Sequence, residues 1–66
     1  MILLYTDNAN NLDLINKECK FEYKGDCMTI EFKKVRIKTH TVLEIKKEQE
    51  LIKVYTLYYM YTFKDE

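Results

Sequence analysis

Cys19, Cys27 and His40 are the residues of this chain that could make a nucleophile and its base. A thiolate paired with an imidazole attacks acyl carbon only when a third group orients the ring and donors receive the oxyanion. Neither is suggested by the spacing. There is no CxxC, and no second Cys/His pair stands at zinc spacing. The chain has no serine, tryptophan or proline, and one glycine, one arginine and one histidine. Serine nucleophiles, glycine-rich phosphate loops and two-histidine metal motifs are therefore excluded. Asp7 opens a stretch rich in Asn and Asp, but the oxygen ladder and central glycine of a calcium loop do not follow it. The expectation is a protein that is not an enzyme and takes no cofactor or metal.

Binding chemistry is better represented. Arg36, Lys38 and His40 share one parity of VRIKTHTVLEIKK, and Tyr55, Leu57, Tyr59 and Tyr61 share one parity of LIKVYTLYYMYTF. If these stretches are neighbouring strands, cations lie beside tyrosine rings, and these seven residues form the expected partner-binding face. Tyrosine and arginine suit a protein interface because they join large contact area to a polar tip. The runner-up is single-stranded nucleic acid, with bases stacked on rings and phosphates on cations. A third reading keeps the face internal, as a cation–π ladder partly covered by Met1–Ile15.

Charge bears on the choice. The 11 basic and 11 acidic residues cancel, yet Lys33, Lys34, Arg36, Lys38, Lys46 and Lys47 stand against Glu44 alone between positions 33 and 47. A zero total argues against a chain whose main work is coating nucleic acid, while leaving room for a local basic strip. A protein partner is the leading expectation.

The elements that would position these residues can be read from pattern. MILLYT is apolar on both parities and predicts a buried strand. DNANNLDLIN is a loop with a short helical turn over about Ala9 to Ile15, in which Leu12 and Ile15 could share a face. In KECKFEYKGDCMTIEF, Gly25-Asp26 suits a two-residue hairpin turn with glycine first. Tyr23 then faces Met28, Phe21 faces Ile30 and Cys19 faces Phe32, while Lys20 meets Glu31 and Glu22 meets Thr29 on the other side. A slip of one residue would destroy that apolar/polar division, so the register is specified. In it Cys19 points into the apolar face and Cys27 away from it, so the two cannot bridge; Cys19 reads as a small core hydrophobe.

VRIKTHTVLEIKK alternates cleanly and predicts one strand of more than ten residues. LIKVYTLYYMYTF predicts another, since nine of its thirteen residues are β-branched or aromatic. KKEQE between them would form a loop or one helical turn. Pairing Glu44 with Lys53, the single charge of the second strand, gives a core face of Val35, Ile37, Leu43 and Ile45 against Met60, Tyr58, Val54 and Ile52. Strands this long must coil or pass between layers. The fold class is therefore mainly β: a strongly twisted antiparallel sheet or partly open barrel of about five strands, with at most a short helical turn near residues 8–16.

The 66 residues are read as one small domain with a thin core. Met1–Thr6 lacks a basic leader, and the apolar run Val54–Phe63 is about half the roughly 20 residues of a spanning helix, so neither export nor a membrane partner is expected. Two unpaired thiols fit a reducing compartment, and the expected location is cytoplasmic. Lys, Ile, Tyr and Asn supply 26 of the 66 residues and Gly, Ala, Arg and Pro three, a bias that follows AT-rich codons. The resulting expectation is a phage or mobile-element accessory protein that binds and inhibits or modulates a host protein. Val54–Phe63, charge-free and β-prone, is a hazard at an open edge, so it is expected to be central or capped by a second copy in a homodimer.

Overall fold

A computed structural model describes residues 1–65. The described chain is mainly β, with seven antiparallel strands and a short 3-10 helix of Ala9–Leu14: β1 Ile2–Thr6, β2 Cys19–Lys24, β3 Cys27–Phe32, β4 Arg36–Lys38, β5 Val42–Glu48, β6 Leu51–Thr56 and β7 Met60–Lys64. They form two sheets, β1-β7-β6-β5 and β2-β3-β4, which do not close into a barrel. Among the described residues no helix is long and apolar enough to cross a membrane.

The β2–β3 hairpin has the register its sequence predicts, from Cys19 opposite Phe32 to Lys24 opposite Cys27. Gly25 alone in its turn has positive φ, 66°, the demand of a turn whose first central residue is left-handed. Cys19 is buried and Cys27 partly exposed, and both are free thiols. The helical turn also forms where expected, capped by the Asn8 side chain accepting from the Asn10 N–H at 3.1 Å. It buries Leu14, however, and leaves Leu12 exposed. The predicted Leu12–Ile15 face does not form because the helix ends at Leu14 and Ile15 is already extended backbone.

The two long strands expected from the sequence are each divided, which turns five expected strands into seven. VRIKTHTVLEIKK becomes β4, paired with β3, and β5, paired with β6. LIKVYTLYYMYTF is not one strand but a hairpin, β6 and β7, reversing over Leu57–Tyr59. The reversal inverts parity. Ile52, Val54 and Thr56 are buried from the even positions of β6, while β7 buries the odd Tyr61 and Phe63. Tyr58, predicted for the core, is exposed in the turn.

The β5–β6 register also differs. Glu44 lies opposite Tyr55 and Lys46 opposite Lys53, with Gln49-Glu50 as a two-residue turn rather than a helical one. Lys53 finds Glu48 instead, at 3.7 Å. An exposed ion pair contributes at most about 1 kcal/mol, less than the tight turn gains by keeping Lys47 and Glu48 in the ladder. A bulge at Leu43 puts Val42 toward the core and leaves Leu43 and Ile45 exposed, against the predicted core face; Val35, before β4, is exposed too.

One core lies between the sheets, with Leu3, Val54, Tyr61 and Phe63 from one and Met28, Ile30 and Phe32 from the other. Phe21 and Phe63 meet across it at 5.2 Å between ring centroids. The sheets are stitched at one edge. The Cys19 N–H donates to the Met1 carbonyl at 2.8 Å and the Leu3 N–H to the Lys17 carbonyl at 3.2 Å, so the entry to β2 covers the open edge of β1.

With so thin a core, single truncations should be severe. Phe63→Ala removes a fully buried ring and should cost about 3–5 kcal/mol, comparable to the net stability of a domain this size. Urea unfolding followed by circular dichroism should show the variant without a folded baseline at room temperature; a transition near the wild-type midpoint would disprove the role given to this ring.

Candidate functional site

The chain leaves the three-stranded sheet at Thr39. Its N–H donates to the Met28 carbonyl at 2.8 Å. Its buried hydroxyl accepts from the Met28 N–H at 3.2 Å and lies 3.1 Å from the Met28 carbonyl and 2.9 Å from that of His40. Two residues later Thr41 belongs to the other sheet, its carbonyl receiving the Leu57 N–H at 2.9 Å. His40 projects from this crossover.

Opposite it, the β6–β7 turn contains no glycine, proline, asparagine or aspartate. Thr56 supplies the missing turn chemistry: its hydroxyl donates to the Tyr59 carbonyl at 2.6 Å and accepts from the Tyr59 N–H at 3.1 Å. Asp7 pins the far side, accepting from the Met60 N–H at 2.9 Å. Held this way, the turn presents Leu57, 53 % exposed, and Tyr58, 66 % exposed, while Tyr59 packs partly against the core. The His40 ring stands edge-on to Tyr58 at 4.7 Å and tilted to Tyr59 at 6.3 Å. The corner is made of three rings and an aliphatic side chain on a backbone that is hydrogen-bonded on both flanks.

The expected seven-residue face is only partly assembled. His40, Leu57 and Tyr59 meet at this corner. Arg36 and Lys38 lie on the short β4, opposite Glu31 and Thr29, and the Arg36 guanidinium is bound to Glu31 at 2.9 Å. Tyr55 is on the outer face of the four-stranded sheet, opposite Glu44 and Met60, with the Lys46 ammonium 5.9 Å from its ring centre. Tyr61 is in the core at 2 % exposure, stacked near Phe63 and receiving an Asn8 amide N–H at 3.4 Å. The continuous basic and tyrosine strip depended on two unbroken strands, and their division scatters it. Tyr58 is the corner residue that alternation does not reveal. The signal that could have found it is length, since a thirteen-residue strand is about twice the usual.

Among the described residues no three His, Cys, Asp or Glu side chains gather as metal ligands. The groups with displaced pKa values are in the core. Burial pushes the Cys19 thiol above its ordinary 9.0 and the Tyr61 phenol above its ordinary 10.0, the latter against the lowering effect of the Asn8 hydrogen bond.

Both shifts imply the same pH dependence. Well below pH 9 both groups are protonated in folded and unfolded chains alike. As pH rises past those ordinary values the unfolded chain releases protons that the folded chain still holds, so stability falls. Urea midpoints should be flat from neutral pH to about pH 8 and decline above about pH 9; Tyr61→Phe combined with Cys19→Val should flatten the alkaline limb. An undiminished decline in the double variant would contradict this assignment.

In comparisons with known proteins, no family model, curated protein or solved structure matches this chain.

Proposed function

We propose that this chain is a small non-enzymatic protein-interaction module whose partner-facing surface is the corner of His40, Leu57, Tyr58 and Tyr59. The observation that carries the reading is the exposure of Leu57 and Tyr58 on a turn pinned by Thr56, Asp7 and Thr41. Large apolar side chains on a turn held by hydrogen bonds on both flanks lose little entropy on docking, and tyrosine is enriched among residues that dominate binding energy. Solvent-exposed turns ordinarily carry polar residues; this one presents an aliphatic side chain and two rings. Cys19 is buried in the core, where a raised pKa makes a thiol inert, and the Tyr61 phenol, also raised, is buried close to Tyr59 and Asp7.

The composition supports the biological setting. Its richness in Lys, Ile, Tyr and Asn, residues of AT-rich codons, suits a phage or mobile element, and the chain would act in the host cytoplasm by occupying a surface of a host protein and so inhibiting or modulating it. The dispersal of Arg36, Lys38, Tyr55 and Tyr61 weakens the nucleic-acid reading, because phosphates and bases would need those cations and rings side by side.

The test is affinity capture from a low-GC bacterial lysate, followed by titration of the captured protein once identified. The Leu57→Ser/Tyr58→Ser double variant should bind about 30-fold more weakly while its urea midpoint shifts by no more than about 0.5 kcal/mol equivalent. Capture should persist through moderate salt. Undiminished binding by the double variant overturns the assignment of the corner. Recovery of nucleic acid alone, released between about 50 and 200 mM salt, overturns the protein partner in favour of a single-stranded nucleic acid.

A further inference from the structure

A second exposed feature lies outside the corner. β5 ends the four-stranded sheet, and beyond Val42, whose N–H donates to the Asp26 carbonyl at 2.6 Å, its outer edge has no backbone partner among the described residues. It is the longest strand, and past Val42 both of its faces are exposed, including Leu43 at 63 % and Ile45 at 44 %. Native proteins usually protect such an edge with charges that repel a second strand. The charges here have a different property: Glu44 and Lys46 flank Ile45 symmetrically.

The hydrogen-bond parity of this edge follows from its hairpin. Glu48 and Leu51 flank the two-residue turn and form a hydrogen-bonded pair, as then do Lys46 with Lys53 and Glu44 with Tyr55. Ile45 and Lys47 alternate with these and turn their N–H and C=O groups outward. A strand added antiparallel must match outward groups with outward groups, which leaves few registers for a second copy. With Ile45 opposite the partner's Ile45, Glu44 meets the partner's Lys46 and Lys46 meets the partner's Glu44. Leu43 then meets the partner's Lys47, and the ladder ends where Val42 is already capped. A shift of two residues one way puts Glu44 on Glu44; the other way puts Lys46 on Lys46 and Glu44 on Glu48. A further shift stacks Lys47 on itself. The register centred on Lys47 would also pair Lys46 with the partner's Glu48, but at the cost of lysine on lysine at the axis; the register centred on Ile45 pairs opposite charges twice, sets no like charges opposite each other and places an apolar side chain on the two-fold axis.

We propose that two copies of the chain associate antiparallel along β5 with Ile45 on the two-fold axis, joining their four-stranded sheets through reciprocal Glu44–Lys46 pairs. The occupant of the edge is a second copy because the sequence of the edge is complementary to itself. This contact uses none of the corner residues, and it holds or fails independently of the partner-binding reading.

The register makes a distinctive prediction for charge exchange. Glu44→Lys alone sets lysine against lysine in both cross-strand pairs, and Lys46→Glu alone sets glutamate against glutamate in both. In an equimolar mixture of the two variants, the heterodimer sets two lysines of one copy against two glutamates of the other, so both cross-strand pairs regain opposite charges and mixing should restore association. The double variant Glu44→Lys/Lys46→Glu likewise restores an opposite charge to every pair, with the signs exchanged. Mass by sedimentation velocity and native mass spectrometry should show a wild-type dimer, each single variant at least tenfold weaker in dimerisation, and the double variant near wild-type strength. Both side chains are exposed, so unfolding midpoints measured at dilutions where every variant is monomeric should be unchanged, and loss of fold is separable from loss of dimer. A wild-type chain that stays monomeric up to about 1 mM, weaker than specific interfaces bind, overturns the proposal and leaves the edge open to a strand from another protein. A dimer that both single variants retain, or that the double variant fails to restore, overturns the register.

Discussion

The hydroxyl of Thr39, held between the backbones of Met28 and His40, fixes the point at which the chain leaves one sheet and enters the other. A chain of this size has one core to share between two sheets, and no strand can be long without running off it. The crossover at Thr39–Thr41 meets that limit by burying Ile37 partly under one sheet and Val42 under the other. Threonine suits the position because its hydroxyl satisfies buried backbone groups that a crossover takes out of both ladders. The β6–β7 reversal solves the same problem with Thr56. Two threonines thus fill the place that glycine and proline would take in another sequence, in a chain with one glycine and no proline.

This explains which parts of the fold were legible in the sequence. The β2–β3 hairpin was readable to the residue, because Gly25 marked the turn and alternation on both sides permitted one register. The mainly β class and the helical turn near Ala9–Leu14 followed from composition and from Asn and Asp as cap residues. LIKVYTLYYMYTF was not legible as a hairpin, since Leu57-Tyr58-Tyr59 carries no turn residue and the threonine that makes the turn is also a good strand former. One missed reversal then propagated. It inverted the parity of β7, sent Tyr61 inward and Tyr58 outward, and removed the neighbour that the basic strip of Arg36 and Lys38 required. The bulge at Leu43 had a similar effect on β5, where alternation alone put Leu43 with the core. Of the candidate site, His40, Leu57 and Tyr59 survive as neighbours because they lie at the corner created by the two breaks.

Edges impose the second constraint. A two-sheet domain with seven strands has four edges, and these are treated unequally. The edge of β1 is covered by the incoming Lys17–Cys19 segment, and the start of β5 is capped by Asp26. β4 is three residues long, too short to template a partner. The edge of β2 is tied to Met1 at Cys19 and has no further backbone partner among the described residues, and neither has β5 beyond Val42; of the two, β5 is the longer strand, with Glu44 and Lys46 on either side of Ile45.

The distribution of apolar surface is the last step. Fully burying a leucine or similar side chain contributes about 1.5–3 kcal/mol, an appreciable part of the stability available to so small a domain. Eight large apolar or aromatic side chains are nevertheless exposed among the described residues. Tyr5, Leu12, Tyr23 and Val35 lie singly on other elements, while the other four follow the two breaks: Leu43 and Ile45 on β5 after the crossover, Leu57 and Tyr58 in the reversal itself. A chain selected for stability alone would place polar residues at such positions, where packing exerts no demand. Leu57 and Tyr58 stand on a turn whose backbone is hydrogen-bonded on both flanks, which gives apolar contact area that is already ordered, so that covering it costs little conformational entropy. The same breaks that limit the core therefore also leave Tyr58 and Leu43, the two most exposed large apolar side chains of the described residues, outside it.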